Sequence, residues 1–138
     1  MKVLLIGGSG QLGRFIIEEK PNFIQLITPN KEELNLEDVK NIKEKIKNIN
    51  PDWIINCGAF TDVDLSEKKP GKALLINYLA TREIALSTID INAKLIHFST
   101  DYVFDGKATI PYKPTSERNP INQYGKSKAL GEEEIEKI

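Results

Sequence analysis

Val3-Leu4-Leu5-Ile6 followed by Gly7-Gly8-Ser9-Gly10-Gln11-Leu12-Gly13 is the stretch that decides the fold. Its first four residues form a continuous apolar run rich in branched side chains, which suits a β-strand buried on both faces. The glycines after it fit two overlapping spacings. Gly8, Gly10 and Gly13 match G-x-G-x-x-G, while Gly7, Gly10 and Gly13 match G-x-x-G-x-x-G. Both spacings serve one need: one glycine permits a tight turn, one lets the backbone approach a pyrophosphate, and the last allows close packing of helix on strand. Leu12, Phe15 and Ile16 then recur at helical spacing, so the free N–H groups at the start of that helix face the diphosphate. Strand, glycine loop and helix in this order predict a dinucleotide site. No Lys-Ser or Lys-Thr follows the loop, which argues against a triphosphate-binding P-loop.

Outward from this unit the pattern repeats. Pro21 closes the first helix, Phe23 to Ile27 is the second predicted strand, and Thr28-Pro29-Asn30 ends it. Asn35 is expected to cap a helix whose apolar face is Val39, Ile42, Ile46 and Ile49. Pro51-Asp52 breaks that helix before the strand Trp53-Ile54-Ile55. Ala73 to Ile89 is predicted as a further amphipathic helix, Lys94 to Phe98 as a fourth strand, and Gln123 to Ile138 as a last helix. Between them, Asp105 to Pro120 is rich in Gly, Pro and polar residues; loops of that length in a compact domain tend to be functional. Strands alternating with helices predict a Rossmann-type, doubly wound parallel sheet in a three-layer α/β/α arrangement. Ligands in such sheets lie at the carboxyl ends of the strands, and the polar motifs here follow strands one to four, so all face one rim.

Length and composition limit the alternatives. The chain has 138 residues, 40% hydrophobic and 28% charged, which is about one soluble domain. With 19 basic and 20 acidic residues the net charge is −1, which argues against broad binding to nucleic acid or an anionic membrane. Cys57 is the only cysteine, so no internal disulfide forms, and no apolar run approaches the roughly 20 residues of a membrane span. A cytoplasmic protein is expected.

The end of the second strand usually supplies an acidic residue for the adenosine ribose. Asn30 and Lys31 stand there instead, so a 2′-phosphate meets no repulsion and Lys31 can pair with it. NADP(H) is slightly favoured over NAD(H). At the other end of the chain, Tyr124 and Lys128 are spaced i and i+4, on one face of a helix. A tyrosine near its ordinary pKa of about 10 donates a proton readily, and an ammonium beside it favours the phenolate. Ser99-Thr100-Asp101 follows the fourth strand directly, where a hydroxyl can hold a substrate carbonyl beside the tyrosine. Thr100, Tyr124 and Lys128 together form a carbonyl-reduction site.

These residues resemble the extended short-chain dehydrogenase/reductases, and within them the dTDP-4-dehydrorhamnose reductase family. The resemblance runs along the whole chain. It rests on Gly7 to Gly13, on Asn56 to Asp64, on His97 to Gly106 with its Ser-Thr-Asp-Tyr-Val-Phe-Asp-Gly block, and on Tyr124 to Glu132. It implies that Tyr124 protonates the C4 carbonyl of a nucleotide-linked deoxysugar, that Lys128 orients the nicotinamide ribose, and that Thr100 and Asp101 contact the sugar nucleotide. It also implies that Gly10, Gln11 and Leu12 lie along the cofactor diphosphate, Ala59, Phe60 and Thr61 toward the ribose and nicotinamide, and Asn35-Leu36 beside the adenine. The family usually has Asp where Asn30 and Asn35 stand. Related dehydratases carry Glu where Tyr102 stands, which argues against dehydration, and epimerases keep a different sequence after Ser-Thr. A complete member of the family has a second half that builds most of the sugar pocket. That substrate domain is expected to be missing here, with a second chain or another copy completing the pocket. The regulatory subunit of methionine adenosyltransferase resembles the same reductases, so a non-catalytic dinucleotide-binding subunit is the alternative.

Other residues have plainer roles. His97 lies within a strand and is expected to be a satisfied core or near-core histidine, with no metal-ligand spacing around it. Cys57 is expected to fill space. Asp62, Asp64 and Glu67 are expected to cap a helix start rather than bind a cation, and Glu132-Glu133-Glu134 to form a solvated helix face.

Overall fold

The computed structural model describes residues 1–138. Its elements are β1 (Lys2–Ile6), α1 (Gln11–Glu19), β2 (Gln25–Ile27), α2 (Val39–Ile49), β3 (Trp53–Asn56), α3 (Val63–Lys68), α4 (Pro70–Leu74), a π turn (Leu75–Leu79), α5 (Ala80–Ile91), β4 (Lys94–His97), a 3-10 turn (Asp101–Val103) and α6 (Gln123–Glu136). The strands are all parallel, in the order β2-β1-β3-β4. β1 is therefore flanked by β2 on one side and β3 on the other, and the crevice between β1 and β3 is the topological switch point. The expected Rossmann-type parallel sheet is present.

Alternation along the strands divides the apolar residues between two faces. Leu4, Ile6 and Ile54 point to one face, where Ile42 and Ile46 of α2 and Ala80 and Ile84 of α5 close over them with Leu34. Leu4, Ile46, Ile54 and Ile84 are wholly inaccessible to solvent. Burying each such side chain stabilises the fold by roughly 1.5–3 kcal/mol. On the other face Phe15 and Ile16 of α1 meet Val3, Leu26, Trp53, Ile55 and Ile96 around an apolar groove of about 440 Å³. α2 ends where Asn50 turns left-handed (φ 48°) and donates to the Ile46 carbonyl (2.9 Å), and Pro51 prevents continuation. No helix is long and apolar enough to cross a membrane.

The structure corrects the sequence reading at Asn35, around Ala73 and at Glu132 and Glu134, and the second strand begins at Gln25 rather than Phe23. Asn35 does not cap α2. Asp38 occupies that position, and the Asn35 side chain accepts from Glu37 N–H (2.9 Å) in a turn ahead of the helix. The region expected as one helix from Ala73 starts at Pro70, follows the short α3, and widens into a π turn before α5. Glu132 and Glu134 are not a solvated face: Arg118 holds Glu132 (2.9 Å) and Arg82 approaches Glu134 (3.5 Å), leaving only Glu133 of the three exposed.

Candidate active site

The carboxyl ends of β1 and β3 meet at two glycines. Gly7 adopts φ 82°, and a Cβ on it would stand 2.6 Å from the Gly58 nitrogen, so neither the conformation nor the space admits a larger residue. Gly7 carbonyl oxygen accepts from Gly10 N–H (3.1 Å), and a Cβ on Gly13 would overlap that same oxygen. The glycines thus bring the start of α1 directly against the end of β1. Gly10 stands at the N-cap of α1, which has no side-chain cap and no acidic residue in its first turn. Its first N–H groups, on Gln11, Leu12 and Gly13, therefore remain open to an anion. An uncapped helix start behind a turn that admits no Cβ at Gly7 or Gly13 fits a dinucleotide diphosphate.

A cleft of about 770 Å³ runs from this turn across the sheet edge, lined by Gly7, Gly8, Ser9, Asn30, Lys31, Asn35, Leu36, Ala59 and Phe60 among others. Gln11 and Leu12 border an adjoining groove with Ser9. Thr61 is exposed just beyond Phe60. Asn30 turns inward on its own loop, accepting from Glu32 N–H (2.8 Å) and Glu33 N–H (3.1 Å). No carboxylate stands at position 30, but the fold carries one into the cleft from further along. Glu37 lies between Lys31 (2.9 Å) and Lys72 (3.2 Å), whose hydrogen bonds hold its carboxyl below the usual range. Lys72 comes from α4, and neither it nor Glu37 has a local signal that marks it for this cleft.

A second cluster lies past β4. Lys128 on α6 is 2% exposed and reaches the sheet edge, where its Nζ donates to the Phe98 carbonyl (2.5 Å) and stands 3.2 Å from His97 Nε2. Burial lowers its pKa to about 8, against an opposing pull from Glu132. Asn56 Nδ2 lies 3.1 Å from His97 Nδ1, so the expected satisfied histidine has a neighbour at both ring nitrogens. Burial first, and then the Lys128 charge, push its pKa down to about 3. Tyr124, one turn before Lys128, is buried and meets the Tyr102 ring edge-on at 5.5 Å. Thr100 caps the 3-10 turn: its hydroxyl accepts from Tyr102 N–H and lies within 3.3 Å of Asp101 Oδ1.

Close contact between α6 and this turn depends on Gly125, where a Cβ would overlap the Tyr102 carbonyl oxygen. Asn77, 1% exposed in the π turn, ties the two clusters together. It accepts from Phe60 N–H (2.8 Å), donates to the Phe60 carbonyl (3.0 Å) and donates to Ser127 Oγ (2.9 Å). π turns of this kind recur at functional sites. Asp62 caps α3 by accepting from Leu65 N–H (2.9 Å), and Glu67 accepts from Gln123 N–H at the start of α6 (2.7 Å). The Cys57 thiol is pushed up by burial.

A parallel sheet with a glycine turn at its switch point and a Tyr-x-x-x-Lys helix beside it defines the Rossmann-type short-chain dehydrogenase/reductase class. Residues 1–138 match the family described as RmlD substrate binding domain, and the chain belongs to that family. It is 41% identical over 135 residues to the spore coat polysaccharide biosynthesis protein SpsK of Bacillus subtilis, covering 97% of this chain and 48% of that one. Methionine adenosyltransferase 2 subunit beta of Xenopus tropicalis is 37% identical over 142 residues, covering 97% and 42%. The crystal structure of dTDP-4-dehydrorhamnose reductase from Bacillus anthracis in complex with NADP superposes with a TM-score of 0.93 at 34% identity, covering 99% and 49%. The chain spans about half the length of the relatives it matches.

Proposed function

We propose that this chain is the dinucleotide-binding part of a reductase that converts the C4 carbonyl of a nucleotide-linked deoxysugar, dTDP-4-dehydrorhamnose, to the alcohol of dTDP-rhamnose. The observation that carries this is the placement of Tyr124 and Lys128 on the buried face of α6, against the turn that bears Thr100 and Asp101. When bound, the reduced nicotinamide supplies a hydride to the carbonyl carbon. Tyr124 gives the proton to the carbonyl oxygen, which balances the reduction. Thr100 holds that oxygen in line, and Asp101 contacts the sugar nucleotide. Lys128 orients the nicotinamide ribose and tunes Tyr124 from one turn away.

Gly7, Gly10, Gln11, Leu12 and Gly13 receive the diphosphate, Asn35 and Leu36 flank the adenine, and Ala59, Phe60 and Thr61 lie toward the nicotinamide. The Lys31–Glu37–Lys72 trio carries one net positive charge beside Asn30, which supports NADP(H) over NAD(H). The matched relatives are about twice as long, which supports a sugar pocket completed by further polypeptide or by a second chain. The 37% identity to a methionine adenosyltransferase subunit supports one other reading, a dinucleotide-binding regulatory subunit without turnover.

Assaying reduction of dTDP-4-dehydro-6-deoxy-L-mannose with NADPH, by the chain together with the polypeptide that completes the sugar pocket, with and without Tyr124→Phe, separates the two. Turnover that drops at least about 100-fold in the variant is expected for a lost general acid. NADPH binding with no turnover, unchanged by the substitution, would favour the regulatory reading and overturn the reductase one for this chain.

A further inference from the structure

The parallel register sets Asn56 of β3 beside His97 of β4, at the edge of the sheet that Lys128 reaches. The donors and acceptors along this row can be assigned in order. Gly58 N–H can only donate, and it lies 3.0 Å from Asn56 Oδ1. The amide orientation is fixed by that contact, so Asn56 Nδ2 faces His97 Nδ1 at 3.1 Å. An amide NH₂ can only donate, which makes Nδ1 the acceptor and leaves the single ring proton on Nε2. Nε2–H then points at Lys128 Nζ, 3.2 Å away. An ammonium has no acceptor and would set N–H against N–H. A neutral amine accepts from Nε2–H and still donates to the Phe98 carbonyl, 2.5 Å away.

We propose that Asn56 is a positioning residue of this site: through the His97 tautomer it favours the amine of Lys128 over the ammonium in the unliganded chain. The row Gly58 N–H, Asn56, His97, Lys128, Phe98 carbonyl is then satisfied at every link. No carboxylate touches Lys128 to oppose this. Glu132, on its own helix, is engaged by Arg118 (2.9 Å) and by the Ser99 hydroxyl. The other titratable groups of the cluster are the phenols of Tyr124 on α6 and Tyr102 on the 3-10 turn, with His97 from β4. Burial acts on Lys128 in the same direction as the tautomer does. The consequence concerns Tyr124. Beside an amine a phenol keeps its proton, the state required of a proton donor, whereas an ammonium draws out the phenolate. That consequence rests on the reductase reading, but the hydrogen-bond row does not.

The chain has one histidine, so its ring needs no assignment. A two-bond ¹H–¹⁵N correlation spectrum of the labelled full chain, without substrate or cofactor, reads the tautomer. The ¹³Cε shift of Lys128, identified through Lys128→Arg, reads its charge. At pH 8.5 the wild type is expected to show Nε2–H and an amine while the other lysines remain ammonium. In Asn56→Asp the carboxylate still accepts from Gly58 N–H but now takes Nδ1–H. The ring should turn to the Nδ1–H tautomer, and Lys128 should titrate at least one pH unit higher. An added negative charge alone would raise Lys128 without turning the ring, so the tautomer distinguishes the two. An unchanged tautomer in Asn56→Asp, or a wild-type Lys128 that titrates with the other lysines, overturns the proposal. Should Asn56→Asp not fold, Lys128→Met takes its place. Nε2–H must persist there if Asn56 sets the ring, and a switch to Nδ1–H would assign control to Lys128 instead. Because no turnover is measured, failure here leaves the reductase reading standing, and the converse holds.

Discussion

Removing the Asn77 side chain should uncouple the loop after β3 from α6. Asn77→Ala deletes three hydrogen bonds: from Phe60 N–H (2.8 Å), to the Phe60 carbonyl (3.0 Å) and to Ser127 Oγ (2.9 Å). The Ser127 hydroxyl keeps a partner, since it donates to the Tyr124 carbonyl (2.7 Å). Two backbone groups of Phe60 are left without one. A buried group stripped of its partner costs about 1–3 kcal/mol, and Phe60 is only partly buried. The total is therefore roughly 2–4 kcal/mol, a large part of a typical domain stability of about 5–15 kcal/mol. With a urea slope of about 1–3 kcal/mol per molar, the unfolding midpoint should fall by about 1–2 M. Asn77→Asp retains the acceptor for Phe60 N–H and loses both donors. It buries a carboxylate, so its loss should be greater at pH 7 than at pH 4.5. Urea titrations followed by circular dichroism measure all three proteins. A midpoint for Asn77→Ala within about 0.3 M of wild type, at equal slope, would refute the claim that Asn77 joins the two clusters.

Lys128→Met should make the chain more stable at pH 7 while removing function. A lysine whose folded pKa is about 8 is charged at a cost below that value, and the cost is relieved as pH rises from 8 toward 10.4. After subtracting the lost bond to Phe98, a gain of about 1–2 kcal/mol is expected at pH 7, shrinking by pH 10; a thermal melt showing destabilisation at pH 7 would contradict it. His97 carries the same sign. Its folded pKa near 3 lies below the unfolded value near 6.5, so stability is full above pH 6.5 and falls as pH drops below it, by up to about 1.4 kcal/mol per unit. Unfolding free energies that do not change between pH 6.5 and 5.5 would count against a buried neutral ring. Glu37→Gln should release Lys31 and Lys72 toward a 2′-phosphate, tightening NADPH about 2- to 10-fold relative to NADH in competition titrations; an equal change for both dinucleotides would place the trio away from that phosphate.

The sheet was legible because its strands are continuous apolar runs and the glycine spacing has few structural uses. The position of Tyr124 and Lys128 on one helix face was legible from their spacing, and that of Thr100 from its place directly after a strand. What escaped was set by distance in the chain. Asn77 looks like one polar residue in an amphipathic helix until the π turn aims it at Phe60, 17 residues earlier, and at Ser127, 50 residues later. Glu132 and Glu134 read as solvent-facing until Arg118 and Arg82 arrive from other segments. Asn35 is not the cap because a side chain that suits a helix cap equally suits the turn before it, and Asp38 lies nearer the helix start. Position 30 correctly read as lacking an acid, yet the Glu37 carboxylate enters the same cleft from seven residues on.

Calorimetric titration of the folded chain with NADPH, beside Gly13→Val, tests the central claim most directly. Saturable one-site binding by the wild type is predicted, with at least about a 100-fold loss in the variant, because a side chain at position 13 pushes α1 away from the Gly7 carbonyl and its N–H groups away from the diphosphate. A folded wild-type chain that binds neither NADPH nor NADH would contradict the account.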